Sequence, residues 1–324
     1  MTPPSALIGI GIDVGGTNTK IAVANSEGKI LRELEIPTEP SLGPARFVRR
    51  VVSVIHLWES ELDLEHSPVG LGLAGDVDSK KGTMRAAPSL PGWSGFNFRR
   101  ALSSALKRPV VIDNDANMAA WGGYVVELGR RPSTVVAVTL GTGVGGGLII
   151  NGKLYRGATG SAGEIGHSRV ELRGLACRCG ARGCLEAYAG AYGLSRMAKA
   201  LLAGKPRKPS KLRRLSPAEL TPRVLAEAAE AGDAVAREVW RRAAAALAAG
   251  LAGIVLILNP EMVLILGGVS RAGKLLLDPL SEAFRREPFR TPFRAVSLRA
   301  ARNPNLGCVG AALLALEESA PARN

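Results

Sequence analysis

The sequence predicts an α/β fold made of two similar halves, and three observations carry that prediction. An apolar, Ile-rich run at Leu7–Asp13 is broken by Gly15-Gly16-Thr17-Asn18 and resumes at Thr19–Ala24. The same grammar returns at Thr134–Leu140, Gly141-Thr142-Gly143-Val144-Gly145-Gly146 and Gly147–Ile150. Segments of helical spacing lie between and after these repeats. Strands first and helices after, twice over, describe layered α/β halves with a ligand cleft between them.

Taken in order, Leu7–Asp13 and Thr19–Ala24 read as a hairpin, and after a turn at Asn25–Gly28 the run Ile30–Ile36 adds a third strand. Phe47–Glu61 has helical spacing, Val69–Ala74 and Val110–Ile112 are short buried strands, and Ala116–Leu128 is a helix. Asn151-Gly152 is a strong hairpin turn. The spacing then predicts helices at Leu185–Leu202, Pro217–Ala231, Asp233–Leu258, Leu275–Arg286 and Val309–Leu316, with strands at Met262–Leu266 and Ala295–Leu298. Lys205-Pro206-Arg207-Lys208-Pro209-Ser210 reads as an exposed, mobile connection.

The chain's 324 residues suit two domains at roughly 150 residues each. With 46% apolar and 22% charged residues it belongs among folded globular chains, which excludes disorder and collagen-like repeats. No uncharged apolar run reaches the roughly 18 residues of a membrane span, and Met1–Leu7 leads into a strand without a basic signal region. A cytoplasmic location and no membrane partner are therefore expected. The net charge is +14, much of it in Lys199–Pro217 and Arg285–Arg302. Binding of nucleic acid would want stacking aromatics beside that charge, yet aromatics make up 4% of the chain. Both stretches read as solvated surface.

Three of the four cysteines crowd into Cys177-Arg178-Cys179-Gly180-Ala181-Arg182-Gly183-Cys184, and His167 precedes them. One Cys3His set is thereby complete, the composition of a closed, structural zinc site; buried reduced thiols are the plainer alternative. Two other signatures fail. Gly70-Leu71-Gly72-Leu73-Ala74-Gly75 has the spacing of a dinucleotide fingerprint but is followed by Asp76-Val77-Asp78-Ser79 where a helix is required. Gly268-Val269-Ser270-Arg271-Ala272-Gly273-Lys274 resembles a phosphate loop, yet Leu275 stands where a hydroxyl must meet Mg²⁺.

The Gly-rich turns at Gly15–Thr17 and Gly141–Gly143 fit phosphate better. Small residues let backbone N–H groups approach an anion, and two such turns at equivalent places suggest loops closing on one polyphosphate, with Asp13 near its Mg²⁺ or an ordered water. Phosphoryl transfer needs a base beside the acceptor hydroxyl. Asp113-Asn114-Asp115-Ala116-Asn117 offers candidates, although Asp or Asn at a helix start is equally an N-cap.

Taken together, Asp13-Val14-Gly15-Gly16-Thr17, Asn114-Asp115-Ala116-Asn117, Gly141–Gly147, Gly163-Glu164-Ile165-Gly166-His167 and Cys177 through Cys184-Leu185-Glu186 resemble the ROK family (repressor, open reading frame, kinase) of bacterial sugar kinases. The resemblance runs from about Leu7 to Leu316. It implies an actin-like ATPase fold of ribonuclease H-like lobes, residues 1–115 and 116–324, with the last helix returning to the first lobe and sugar and ATP meeting in the cleft.

The resemblance also implies ATP-dependent phosphorylation of a hexose at the 6-hydroxyl, with glucose the first expectation and mannose, fructose or an N-acetylhexosamine the alternatives. Asp115 would be the base, with Asn114, Glu164, His167, Glu186 and Gly75 on the sugar. ATP would meet Asp13, Gly15, Gly16, Thr17, Asn18 and Lys20, then Thr142, Gly143 and Gly268. His167, Cys177, Cys179 and Cys184 would hold the zinc. Two departures stand out: Asp113 where many relatives have Glu, and Ser89 where relatives often carry a sugar-touching Asn. A homodimer or homotetramer is the expected assembly. A sugar-sensing repressor of the same family is the rival, disfavoured because no space precedes Leu7 for a helix-turn-helix.

Overall fold

The computed structural model describes residues 7–204 and 209–320. The N-terminal segment before Leu7 and residues 205–208 of the basic connection lie outside the described residues. The chain opens with β1 (Ile8–Val14), β2 (Asn18–Asn25), β3 (Ile30–Pro37), α1 (Pro44–Glu59), β4 (Val69–Leu73), β5 (Asp76–Asp78), β6 (Thr83–Ala86), α2 (Phe98–Leu106), β7 (Val110–Asn114) and α3 (Asp115–Gly122). It continues with β8 (Val135–Leu140), β9 (Val144–Ile150), β10 (Lys153–Tyr155), α4 (Glu186–Ala189), α5 (Ala191–Ala203), α6 (Pro222–Glu230) and α7 (Ala234–Leu258). Last come β11 (Met262–Leu266), α8 (Lys274–Arg286), α9 (Arg290–Ala295), β12 (Ser297–Ala300) and α10 (Leu306–Ser319).

The repeated grammar of the sequence becomes a repeated topology. One five-stranded sheet has the order β3-β2-β1-β4-β7 and the other β10-β9-β8-β11-β12. In the first, β4 lies parallel to both β1 and β7; in the second, β11 lies parallel to both β8 and β12. The outer strands of each are antiparallel hairpins. Asn151 and Gly152, both with positive φ, make the tight turn between β9 and β10.

Two compact units result. Unit 1 comprises Met1–Arg131, Gly147–Gly163 and Asn305–Asn324. Its core joins Ile10, Ile12 and Val23 to Phe47, Val51, Ile55 and Trp58 of α1. The boundary expected after Asp115 falls inside this unit, at the β7–α3 junction, and α10 belongs to it. Glycines set how closely α10 approaches. A Cβ on Gly11 would stand 1.8 Å from Cys308 O, and one on Gly70 would stand 1.9 Å from Ala311 O. The glycines that mimic a dinucleotide fingerprint therefore include one that seats a helix on a strand.

Unit 2 comprises Pro132–Gly146 and Glu164–Pro304. Its longest helix, α7, is capped by Asp233, which accepts from Val235 N and Ala236 N. By length and apolar composition α7 could cross a membrane; in the fold it buries Val239, Trp240, Leu247, Leu251 and Val255.

Several elements differ from expectation. The helix predicted over Leu185–Leu202 is two helices, parted at the extended Gly190, where Ala191 N donates to Gly141 O at 2.9 Å. The one expected from Pro217 starts at Pro222, because the Thr221 hydroxyl caps Val224 N. After Gly122 the helix expected over Ala116–Leu128 widens into a π turn at Gly123–Glu127. Ala295 ends α9, so the following strand starts two residues later than predicted.

Candidate active site

In unit 1 the chain reverses directly after β1. Gly15 N donates to Asn18 O at 3.0 Å, and Thr38 braces the turn by donating to Thr17 O through its N–H and to Gly15 O through its hydroxyl, each at 2.7 Å. Gly16 sits against Ser89, whose Cβ would be 2.9 Å from a Cβ placed there. Thr17 is left exposed, which suits a backbone and hydroxyl cradle for an anion. Asn18 and Lys20 already have partners: Asn18 Nδ2 donates to Glu35 at 2.6 Å and Lys20 Nζ to Asn305 at 3.1 Å.

Lys20 pairs across the strands with Asp13. Burial pushes the Asp13 carboxyl up to about 7; the nearby charge of Asp115 adds to the rise and Lys20 opposes it. The effect of Asp115 on Asp13 brings the first Gly-rich turn and the candidate base into one electrostatic site within unit 1.

Asp115 opens α3. The cap itself is Asn114, whose Oδ1 accepts from Ala116 N at 2.8 Å and from Asn117 N at 3.2 Å, while its Nδ2 donates to Gly75 O at 2.9 Å. Gly75, at φ 141°, has no room for a side chain. Asn114 is therefore the cap, and among the described residues the Asp115 carboxylate accepts from Ala116 N at 2.9 Å. Burial raises its pKa, against the pull of backbone N–H groups. Asp113 is buried and spent on structure, accepting from Asn117 Nδ2 at 2.8 Å, Asn114 N at 2.7 Å and Arg156 Nε at 2.5 Å.

Unit 2 assembles the second turn. Gly141 N donates to Gly143 O at 3.0 Å, and Glu186 reaches over from α4 so that its Oε2 accepts from Val144 N at 3.1 Å. A Cβ on Gly143 would collide with that carboxylate at 2.2 Å. Gly267 packs on Leu140 O, which places Gly268 beside the same turn, and neither Gly141 nor Gly268 has anything within 4 Å of its Cβ direction. Of the two glycines expected to meet nucleotide in this half, Gly268 has open space at its Cβ direction and Gly143 faces the Glu186 carboxylate.

The expected metal ligands also come together. One donor atom from each of His167, Cys177, Cys179 and Cys184 lies within 4.8 Å of the others. Cys179 Sγ and Cys184 Sγ are 3.7 Å apart, and His167 Nδ1 is 3.9 Å from Cys177 Sγ. Zn–S bonds of about 2.3 Å in a tetrahedron require sulfur separations of about 3.8 Å, so the donor set fits zinc. With Nδ1 facing the thiols, His167 Nε2 points elsewhere, 4.0 Å from Glu164.

The sequence profile of the ROK family matches residues 9–318. The chain belongs to the ROK family. This ROK chain is 36% identical over 313 residues to the glucokinase of Streptomyces coelicolor, covering 95% of itself and 97% of that relative. It is 37% identical over 276 residues to the glucokinase of Thermotoga maritima, covering 84% of itself and 86% of that relative. Among solved structures it matches a ROK family glucokinase from Streptomyces griseus in complex with glucose and AMPPNP, with a TM-score of 0.82 and 36% identity over 96% of this chain and 99% of that one. The fold is the actin-like ATPase fold of ROK kinases, as the sequence implied.

Two residues that contact the candidate site of this ROK chain lay outside every motif. Arg156 supports Asp113 from 43 residues away in sequence, with no pattern to announce it. Tyr192 donates to Glu186 Oε1 at 3.2 Å and carries the Arg178 guanidinium 4.2 Å above its ring. Only the break at Gly190, which starts a new helix beneath Glu186, could have signalled it.

Proposed function

We propose that the chain transfers the γ-phosphoryl group of ATP to the 6-hydroxyl of glucose. One observation carries the chemistry: Asp115, a burial-raised carboxyl at the start of α3, stands near enough to Asp13 in β1, beside the Gly15–Thr17 turn, for its charge to push the Asp13 carboxyl up. Its similarity over nearly its whole length to glucokinases supports the substrate assignment.

Asp115 takes the proton from the 6-hydroxyl; the oxygen forms a bond to the γ-phosphorus as the bond to the bridging oxygen breaks, and ADP leaves. Positioning and charge neutralisation supply most of the acceleration in such a reaction. Asn114 holds the start of α3 through Gly75 O and keeps one amide N–H for a sugar hydroxyl. Glu164, His167 and Glu186 are assigned to the other hydroxyls. Gly15, Gly16 and Thr17, with Thr142, Gly143 and Gly268, are assigned to the nucleotide, with Asn18 and Lys20 supporting the first turn. Asp13 would hold Mg²⁺ or a water of its shell; bound Mg²⁺ supplies charge neutralisation at the phosphates. His167, Cys177, Cys179 and Cys184 would hold zinc, which cross-links the loop and fixes the ring of His167 so that Nε2 can serve the sugar. A cytoplasmic homodimer or homotetramer, without nucleic acid or membrane partners, completes the proposal.

A coupled ADP-release assay over a panel of hexoses and phosphoryl donors tests it. Glucose with ATP should give the highest kcat/KM. Preference for mannose, fructose or an N-acetylhexosamine would move the substrate, preference for polyphosphate would move the donor, and no turnover at all would overturn the kinase reading.

A further inference from the structure

A cavity of about 940 Å³ opens in unit 2 and uses none of the residues assigned above to sugar, nucleotide or zinc. Its wall carries five arginines, Arg173, Arg182, Arg196, Arg241 and Arg242, against the single acid Glu171. The apolar remainder includes Met197, Leu201 and Ala249. The arginines come from separate places, the loop before α4, the middle of α5 and the middle of α7, and neither basic stretch of the sequence contributes.

Internal pairing leaves this charge largely uncompensated. Arg241 and Arg242 share one carboxylate, Glu238, each at 2.7 Å. Glu171 is engaged by the Tyr188 hydroxyl at 2.5 Å. Among the described residues, Arg173, Arg182 and Arg196 form no ion pair. Arg196 donates to Ala176 O at 2.7 Å, and among the described residues its buried Nε and Nη2 have no hydrogen-bond partner. Several arginines lining one concave, partly apolar space match a small molecule that bears several anionic oxygens on a carbon body.

The cavity also adjoins the zinc-type loop. Gly174, Leu175, Ala176 and Arg182 line it, and Ala176 bridges Arg182 in a short antiparallel pairing around Cys177 and Cys179. Leu175 N donates to Tyr188 Oη at 2.8 Å, two residues after Glu186. A ligand spanning Arg173 and Arg182 on the loop and Arg241 on α7 would clamp this loop to the helix.

We propose that this cavity is a second ligand site, for a small organic polyanion of phosphate or carboxylate type, and that its occupancy tightens sugar binding by ordering the loop that ends in Cys184 and Glu186. Binding stands on the cavity alone; the effect on sugar rests on the kinase reading.

The test uses the intact protein with its proposed active site filled by glucose and a non-hydrolysable ATP analogue. Pyrophosphate, citrate and fructose 1,6-bisphosphate are titrated in by calorimetry at physiological salt, which separates phosphate from carboxylate preference. At least one should bind saturably, and the double variant Arg173→Gln/Arg241→Gln should weaken it about tenfold or more. Without the probe that variant should keep the kcat and glucose KM of the wild type. With the probe, glucose KM should fall by about fivefold in the wild type only. Absence of saturable binding by all three, equal affinity in the variant, or binding that leaves glucose KM unchanged would overturn the proposal. So would a change of oligomeric state in the variant by light scattering, which would make these arginines a contact between copies. Saturable binding in a protein that turns over no sugar would uphold the site and sink the kinase reading instead.

Discussion

Arg156 Nε donates at 2.5 Å to the carboxylate of Asp113, two residues before Asp115, and its Nη2 reaches Glu318 of α10 at 2.6 Å. Asp113 is 1% exposed and Arg156 26%, so this pair ties the end of β7 to the C-terminal helix with little solvent screening. Removing one partner leaves a buried charge unmatched.

Arg156→Ala should therefore destabilise unfolding equilibria by about 3–5 kcal/mol, read from denaturant midpoints. Arg156→Ala/Asp113→Asn should recover a substantial part of that loss, because it removes the stranded charge. Equal stability of the double and single variants would show that the pair does not hold β7 in place.

The Asp13 carboxyl gives a pH dependence of definite sign. Its folded pKa, raised to about 7 chiefly by burial, exceeds its unfolded value of 3.8. Between those values the folded chain binds more protons, so the stabilisation from protonated Asp13 is complete below about 4 and is lost as pH rises through about 7. For the same reason kcat/KM should fall on acidification through that range, and added Mg²⁺, by favouring the carboxylate, should move the acid limb to lower pH. The limb should disappear from its place in Asp13→Asn. An acid limb unaffected by Mg²⁺ would assign it to another group.

The basic segment around Lys199–Arg214 should be dispensable for turnover. It contains no glycine turn of the phosphate-cradling kind, and exposed charges are screened beyond about 8 Å at physiological salt. Neutralising Lys199, Lys211 and Arg214 should leave the ATP KM within about twofold, an exposed-charge effect of the usual size. A large rise, or loss of activity with polyphosphate alone, would mark a donor-binding surface.

Purified protein should carry about one zinc per chain. Cys179→Ala should lower metal content and thermal stability, and should raise KM for glucose more than KM for ATP, because the loop between His167 and Glu186 loses its cross-link. Full activity with near-zero metal would overturn the ligand set and the double role of His167.

Much of this was legible because it depends on local chemistry. Glycines after β-branched runs gave both turns, the order of strands gave the duplicated halves, and the crowding of Cys177, Cys179 and Cys184 after His167 gave a cluster that the fold brings within bonding range. What was hidden depends on distant partners. Gly11 is one more residue of a predicted strand and Gly70 looks like a fingerprint glycine until α10 arrives from the far end of the chain to lie on them. Helix α2 is absent from the elements expected of the sequence, and Phe98, Leu102 and Leu106 bury one of its faces. Arg156, and the arginines of the cavity on α5 and α7, acquire meaning only from residues far away in sequence.

The most direct test of Asp115 as the base is Asp115→Asn, which keeps shape and hydrogen-bonding capacity while removing the proton acceptor. At saturating glucose and ATP, kcat should drop by about 10²–10⁴, while the glucose dissociation constant stays within about tenfold of the wild type. If the variant keeps more than about a tenth of the wild-type kcat, general-base catalysis of that size is absent and Asp115 is not the base.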